Sequence, residues 1–379
     1  MNRNLIKKLM IGLMLSAMFS LNANASSANA SNVINTKDEE GKTVLMQAIL
    51  NGSEEVAKYL ISRKETNIRE QDNKGGTALM YACQGGYINI VKLLVKKGAK
   101  VDVKNKRGST ALMYASEKGH LEIVKFLIEK GAKVNEKNAE NVTALIFATR
   151  NNHVQVVEYL IKKGANIEWK IQYGNTAFML ACFHGCEEVA RSLIKNGANI
   201  EARSDDESTA LIRACEKGHA GIVRLLIENG ADVNAENNWK VTPLIVACEW
   251  GREEVVRLLI ETRRVNINAK DENGITALRW ACHQGHAGVA RLLIEEYKMD
   301  VNEKYQGGRT LLMDATEMGY LNVIQLLIEK GANPDIRDDK GRTAAKLGIL
   351  KIKSMKSKDN QDKTALEEIV RILGKRNGQ

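Results

Sequence analysis

Apolar and polar positions follow one pattern that recurs from about residue 43 to residue 337. A threonine opens a short apolar run such as TALMYAC (77–83), TALMYAS (110–116), TALIRAC (209–215) or TALRWAC (276–282). About ten residues on comes a second apolar run at helical spacing, for example Ile90, Val91, Leu93 and Leu94, or Ile123, Val124, Phe126 and Leu127. Most copies then close with Gly-Ala and a segment bearing Asn or Asp: GAKVD (98–102), GANIE (197–201), GADVN (230–234). Each copy predicts two short helices and a turn-rich finger. The threonines are Thr43, Thr77, Thr110, Thr143, Thr176, Thr209, Thr242, Thr276, Thr310 and Thr343, at intervals of 33 or 34 residues. One such unit cannot bury its apolar face alone, so the pattern predicts a stack of repeats rather than a single closed core.

Polar punctuation agrees with this reading. The threonine hydroxyl can accept from an orphan N–H at a helix start. Pro243 follows Thr242 at the first helical position, where a missing N–H does no harm. Nine residues after each threonine, where the first helix must stop, stand Gly52, Gly86, Gly119, Asn152, Gly185, Gly218, Gly251, Gly285 and Gly319. These are the residues that tolerate a left-handed C-terminal cap. Gly-Ala is missing from the units reading SRKETNI (62–68), ETRRVNI (261–267) and EEYKMDV (295–301), and those are the three with a 34-residue interval. One extra residue there replaces the tight glycine turn.

The stretches DENGITALRWACHQGH (271–286) and GADVN (230–234) closely resemble the ankyrin-repeat pattern D-x-x-G-x-T-P-L-H-x-A-A-x-x-G-H … G-A-D-V-N. The resemblance covers about residues 38–375. Pro follows the threonine only once, and Met80, Met113, Ile146, Met179 and Met313 replace the family histidine, so its Thr–His hydrogen bonding is expected to be missing. The resemblance implies an all-α ankyrin-repeat solenoid, with nine repeats over 38–337 and a divergent capping repeat over 338–379. It also implies non-catalytic binding of a protein partner, on the finger tips and the groove lined by inner helices. Those positions lie four, three and one residues before the threonine and seven and eight after it. In the early units they are polar: Lys106, Arg107, Glu117, Lys118. Later units place Tyr173 and Trp239 on finger tips, and Phe183, His184, Glu249, Trp250 and His283 on inner helices. Exposed aromatic residues are typical interface anchors, although the same rings could pack between neighbouring fingers. Tyr81 and Trp280 occupy a position that the family usually fills with Leu, and read as packing; Trp169 fits either role.

The first 25 residues stand outside the array. Arg3, Lys7 and Lys8 precede a short apolar stretch, Leu9 to Leu21, and Ala23-Asn24-Ala25 forms a small-x-small cleavage signal. This reads as a bacterial-type secretory signal peptide, too short for a membrane span, followed by a flexible polar leader at 26–37. The expected location is periplasmic or secreted. Formal net charge is +10; without the three basic leader residues, 53 basic against 46 acidic side chains leave +7.

Excess charge raises a second possibility. Lys58, Lys92, Lys125, Arg191, Arg224, Arg257 and Arg291 share a position on the second helix and would stack into a basic stripe on the convex face. Nucleic acid or an anionic surface could use it. Glu55, Glu122, Glu188 and Glu254, three residues earlier, make the face mixed instead. In the last unit KIKSMKSKDNQDK (351–363) reads as a basic, solvated loop ahead of a helix at 365–373.

Chemistry at the remaining positions is sparse. Cys83, Cys182, Cys215, Cys248 and Cys282 share one repeat position, six after the threonine. Equivalent positions of stacked repeats lie roughly 10 Å apart, beyond the ~7 Å that a disulfide spans, so free buried thiols are expected. Cys182, His184 and Cys186 have metal-like spacing, but His184 lies about 200° around the helix from Cys182. His120, His153, His219 and His286 share a turn position and read as structural. No nucleophile–base spacing or phosphate-binding loop stands out, and no metal or cofactor is expected. The function expected is protein binding by a monomer, without small-molecule substrate, nucleic acid or membrane. The alternative is a structural or protective scaffold for an exported enzyme or envelope component.

Overall fold

A computed structural model describes residues 34–354 and 360–375. The expected signal peptide and residues 355–359 of the basic insertion lie outside them. The described residues form twenty α-helices and no sheet, the all-helical repeat solenoid that the periodicity predicts. None of these helices is long and apolar enough to cross a membrane. The chain divides into two compact units, the first ending at Asn199 and the second beginning at Ile200.

Helices of the first unit are α1 (Val44–Leu50), α2 (Glu54–Ser62), α3 (Ala78–Gly85), α4 (Ile88–Lys96), α5 (Ala111–Glu117), α6 (Leu121–Glu129), α7 (Ala144–Arg150), α8 (Val154–Lys162), α9 (Ala177–His184) and α10 (Glu187–Lys195). Odd-numbered inner helices pack on one another in sequence, as do the even-numbered outer helices. The second unit repeats the scheme with α11 (Ala210–Lys217), α12 (Ala220–Glu228), α13 (Pro243–Glu249), α14 (Glu253–Glu261), α15 (Ala277–His283), α16 (Ala287–Tyr297), α17 (Leu311–Met318), α18 (Leu321–Glu329), α19 (Ala344–Ser354) and α20 (Asn360–Lys375).

The local rules act as the spacing predicts. Threonine hydroxyls cap eight of the first nine inner helices, Thr77 accepting from Met80 N–H at 3.2 Å and Thr242 from Ile245 N–H at 3.3 Å. Thr310 is the exception. Every glycine nine residues after a threonine has φ between +64° and +83°, and Asn152 takes φ +58° in the same role. In two of the three units that lack Gly-Ala, Arg263 and Lys298 adopt the left-handed conformation themselves, at φ +55° and +48°, whereas Arg63 in the first is extended at φ −72°.

Two parts differ from the sequence reading. The end of the polar leader is tied down: Ile34 is buried, Asn35 Nδ2 donates to Glu65 O at 2.7 Å, and Asn67 N–H donates to Asn35 Oδ1 at 2.8 Å. Asn135 makes the same two bonds with Gly164 O and Asn166 N–H, so residues 34–35 end like the tail of a repeat. In the cap, α19 runs on to Ser354 and α20 starts at Asn360, so most of the expected loop at 351–363 is helical. The reason lies at Ile352, which stands nine after Thr343 where every other repeat has Gly or Asn. With no left-handed stop residue the helix continues. Leu366, Ile369, Val370 and Leu373 of α20 then bury one face.

Candidate partner-binding surface

Seven of the ten fingers are organised by an Asp or Asn side chain five residues before the threonine. Asp72 Oδ1 accepts from Lys74 and Gly76 N–H at 2.8 and 2.7 Å, and Asn105 Oδ1 accepts from Arg107 and Ser109 N–H at 2.9 Å each. Asp38, Asn138, Asn237, Asp271 and Asp338 do the same. Such Asx turns hold the finger in one shape. Fingers then hydrogen-bond to the finger before them. In the first unit Asn73 N–H donates to Glu40 O, Lys106 N–H to Lys74 O and Ala139 N–H to Arg107 O, all at 2.9 Å. In the second, Asn238 N–H donates to Asp206 O at 3.1 Å and Glu272 N–H to Trp239 O at 2.9 Å. Side chains on the tips are therefore presented from a rigid row.

The inner helices are tied to these fingers. Tyr81 O–H donates to Asp72 Oδ2, and Trp280 Nε1–H donates to Asp271 Oδ2 at 2.9 Å. Both rings are half-buried. Their packing role thus includes a polar anchor that the sequence reading missed. Aligning the position four after the threonine with the position five before it would have revealed the pairing. Trp169 is also an anchor: its Nε1–H donates to Asn141 O at 2.8 Å, and Lys137 Nζ sits 4.8 Å from its ring centroid.

The aromatic positions singled out for binding fall into two groups. In the first unit, Tyr173 is 68% exposed at φ +65°, and half-buried Phe183 lies edge-on to exposed His184 with ring centroids 5.2 Å apart. In the second, Trp239 is 46% exposed on its finger and Trp250 50% exposed at the end of α13. His283 lies 5.9 Å from the Trp280 ring, edge-on. Its Nδ1 is buried with no hydrogen-bond partner among the described residues. Glu249, beside Trp250, has its carboxyl pushed up by burial and by the charges of Glu216 and Asp271.

Segments 5–105, 45–138, 112–204, 201–271 and 263–338 each match the family described as ankyrin repeats (3 copies). The chain belongs to the ankyrin-repeat family. The first matched segment begins at residue 5, within the stretch read as a signal peptide. Similar stretches occur in inversin of Danio rerio (39% identity over 66 residues) and the BCL-6 corepressor of Homo sapiens (40% over 62 residues). Transient receptor potential cation channel subfamily A member 1 of Homo sapiens shares 37% identity over 81 residues. These matches cover 16–21% of this chain and 4–7% of the relatives' own lengths. Ankyrin repeats typically mediate protein–protein interaction and are generally non-enzymatic.

The other candidate positions take structural roles in these ankyrin repeats. His153 Nε2–H donates to Glu117 O at 2.9 Å and His286 Nε2–H to Glu249 O at 3.0 Å, each joining an outer-helix start to the inner helix of the previous repeat. A carbonyl can only accept, which fixes the tautomer. Cys182 and Cys186 are buried while His184 faces solvent, so the three do not converge. Among the described residues no group of three or more His, Cys, Asp or Glu side chains could hold a metal ion. All six cysteines are free and buried. Burial pushes the Cys282 thiol up to about 12, with a further contribution from Asp314, and keeps the other four thiols of its column protonated as well. On the outer helices, Lys58 pairs with Glu55, Lys125 with Glu122, Arg191 with Glu187, Arg257 with Glu253 and Arg291 with Glu329. Lys92 and Arg224 are exposed and form no ion pair among the described residues, so five of the seven column positions are charge-paired and the face is mixed rather than an open row of cations.

Proposed function

We propose that this ankyrin-repeat chain is an exported, monomeric, non-catalytic protein-binding module. The partner docks on finger tips and inner-helix positions. In the first unit these are Tyr173, Phe183 and His184; in the second, Trp239, Glu249, Trp250 and His283. The observation that carries the reading is the half-exposure of Trp239 and Trp250. Large rings held wet on a rigid row lose apolar surface to water until something covers them, and they lose little side-chain entropy when it does. Glu249 beside them supports the same use, since a partner's donor would relieve its crowding by Glu216 and Asp271. The proposal needs no cofactor, metal or nucleic acid.

The test is cross-linking in the compartment where the protein resides, with partners identified by mass spectrometry. It is run on the natural chain and on a Phe183→Ala, Trp239→Ala, Trp250→Ala variant. One dominant partner lost by the variant supports the surface; capture unaffected by the variant overturns it. Export rests on the basic start, the apolar stretch and Ala23-Asn24-Ala25. Sequencing the N-terminus of the protein from fractionated cells tests it: a start at Ser26 supports cleavage, and an intact Met1 in the cytoplasm refutes export.

A further inference from the structure

The first unit holds a cleft of about 360 Å³ between the second and third fingers and the inner helices α3 and α5. Lys74 and Arg107 hold the same place on successive fingers, three residues before the threonine, and Lys106 is the neighbour of Arg107. All three side chains are exposed and line the cleft. None forms an ion pair among the described residues. Five of the seven cations in the outer-helix column, by contrast, are paired. Nearby carboxylates are already engaged: Asp72 by Tyr81 O–H and two backbone N–H groups, Glu117 by Lys118 Nζ at 3.2 Å, and Glu40 by Lys42.

Two tyrosines in the cleft present opposite polarity. Tyr81 spends its proton on Asp72. Tyr114 does not, because Asn105 Nδ2–H donates to the Tyr114 oxygen at 2.9 Å. The orientation of the Asn105 amide is set independently, since its Oδ1 accepts from Arg107 and Ser109 N–H. The Tyr114 O–H therefore remains available to an acceptor entering the cleft. Three unpaired cations and one aimed hydroxyl donor make a site for an anion with several acceptor oxygens.

We infer that this cleft takes an acidic segment of a protein partner, its carboxylates held by Lys74, Lys106, Arg107 and the Tyr114 hydroxyl. The inference rests on the proposed use of fingers and inner helices for partner binding, and adds the partner's chemistry at a place outside the aromatic group. Carboxylates two or three residues apart on an extended chain are separated by about 7–10 Å, close to the roughly 8–10 Å between packed helices of adjacent repeats. Such a segment meets both finger tips at once. A nucleic acid would need a longer basic track, and the cations are confined to two fingers.

The experiment uses the full chain and a fluorescein-labelled peptide of alternating glutamate and alanine, followed by fluorescence anisotropy. The glutamine version, oligothymidylate and inorganic phosphate are the comparison probes. The glutamate peptide is expected to bind and the glutamine peptide not. A Lys74→Glu, Lys106→Glu, Arg107→Glu variant, checked for folding by circular dichroism, is expected to lose at least about tenfold in affinity. Tyr114→Phe, which removes only the hydroxyl, is expected to lose about three- to tenfold. Equal binding by the triple variant would mean that the peptide senses only the general positive field, and would overturn the site. So would an absence of binding, or tighter binding of oligothymidylate or phosphate at the same residues. Loss of partner capture by the aromatic variant, with no peptide binding here, would leave the proposed function standing and remove only this inference. Failure of both would remove both.

Discussion

Tyr305 donates its phenolic proton to Asp314, which reverses the pair formed by Asp72 and Tyr81. In four repeats a carboxylate or amide stands five residues before the threonine and a ring four after it, as at Asp72 and Tyr81, Asn105 and Tyr114, Asn138 and Phe147, and Asp271 and Trp280. Before Thr310 the ring comes first and the acid second. Asp314 is buried at 7% exposure and also accepts from Arg309 Nε–H at 2.7 Å, with Arg279 Nε 3.5 Å away. The Arg279 guanidinium stacks over the Tyr305 ring at 3.7 Å. The reversed pair thus gathers charge from two inner helices and a finger.

Removing that acid leaves Arg279 without its carboxylate and Arg309 with Glu317 alone. Asp314→Ala is expected to lower stability by about 2–4 kcal/mol, read from urea denaturation. Asp314→Tyr is expected to be as damaging. Adding Tyr305→Asp should recover much of the loss, because the carboxylate it introduces on the finger would regain the usual N–H contacts. A double-mutant cycle with no coupling would refute the reversed-pair account.

Gly348 is the second outlier. The position five after the threonine is alanine in all nine preceding repeats, from Ala48 to Ala315, and glycine only in the cap. A Cβ there would lie 2.4 Å from Val370 Cγ2 and 2.8 Å from Thr316 Cγ2. Helix propensity alone favours Gly→Ala by about 1 kcal/mol. Gly348→Ala is nevertheless expected to lower the thermal midpoint, since α20 must move away and overpacking costs about 1–3 kcal/mol. A raised midpoint would show that α20 is not seated on α19 as described.

The cysteine column yields a prediction of opposite sign. Ser116 and Thr149 stand where five repeats have cysteine, and their hydroxyls are buried with no hydrogen-bond partner among the described residues. Thr316, at the same position, donates to Leu312 O at 2.6 Å. Ser116→Cys is expected to stabilise by roughly 1 kcal/mol, because a thiol is a small apolar group that leaves no strong donor unmet. Thr316→Cys is expected to destabilise. Denaturation midpoints of the two variants check the pair of signs.

Glu249 ties stability to pH. Burial, then Glu216 and Asp271, raise its carboxyl above the ordinary value. A folded-state value above the unfolded one means that the folded protein holds the proton more tightly. Its contribution to stability is therefore most favourable below the unfolded value, about pH 4, and is lost as pH rises through the raised folded value. Glu249→Gln is expected to raise the thermal midpoint slightly at pH 7, by less than ~1 kcal/mol for a half-exposed group. It should change little near pH 4. An equal gain at both values would assign the effect to something other than charge.

How much was legible varied with the distance over which each interaction acts. Thr77 capping Met80, Gly86 turning left-handed and the register of the finger residues follow from groups within about ten residues of one another. Covalent proximity brings those groups together in any repeat of this pattern, so spacing alone predicts them. Even the run-on of α19 was readable at Ile352, which lacks the stop residue. The exposures of Trp239 and Trp250 were not readable, because the same ring at the same position can pack on a neighbouring finger or face water. Nor was Gly348, whose reason is Val370 on another helix.

The sequence by itself determined the repeat interval, the two helices and finger of each unit, their caps, and the ankyrin-repeat identity. All of these rest on short-range hydrogen bonding and helical periodicity. Tertiary structure decided which side chains satisfy one another and which are left over. It set Tyr305 against Asp314, Trp169 against Asn141 and Arg291 against Glu329, and left Lys74, Lys106 and Arg107 without an ion-pair partner among the described residues. The physical reason is that stacking brings together groups about one repeat apart in sequence, and whether opposite charges meet there depends on the geometry of the stack, not on the pattern within one copy.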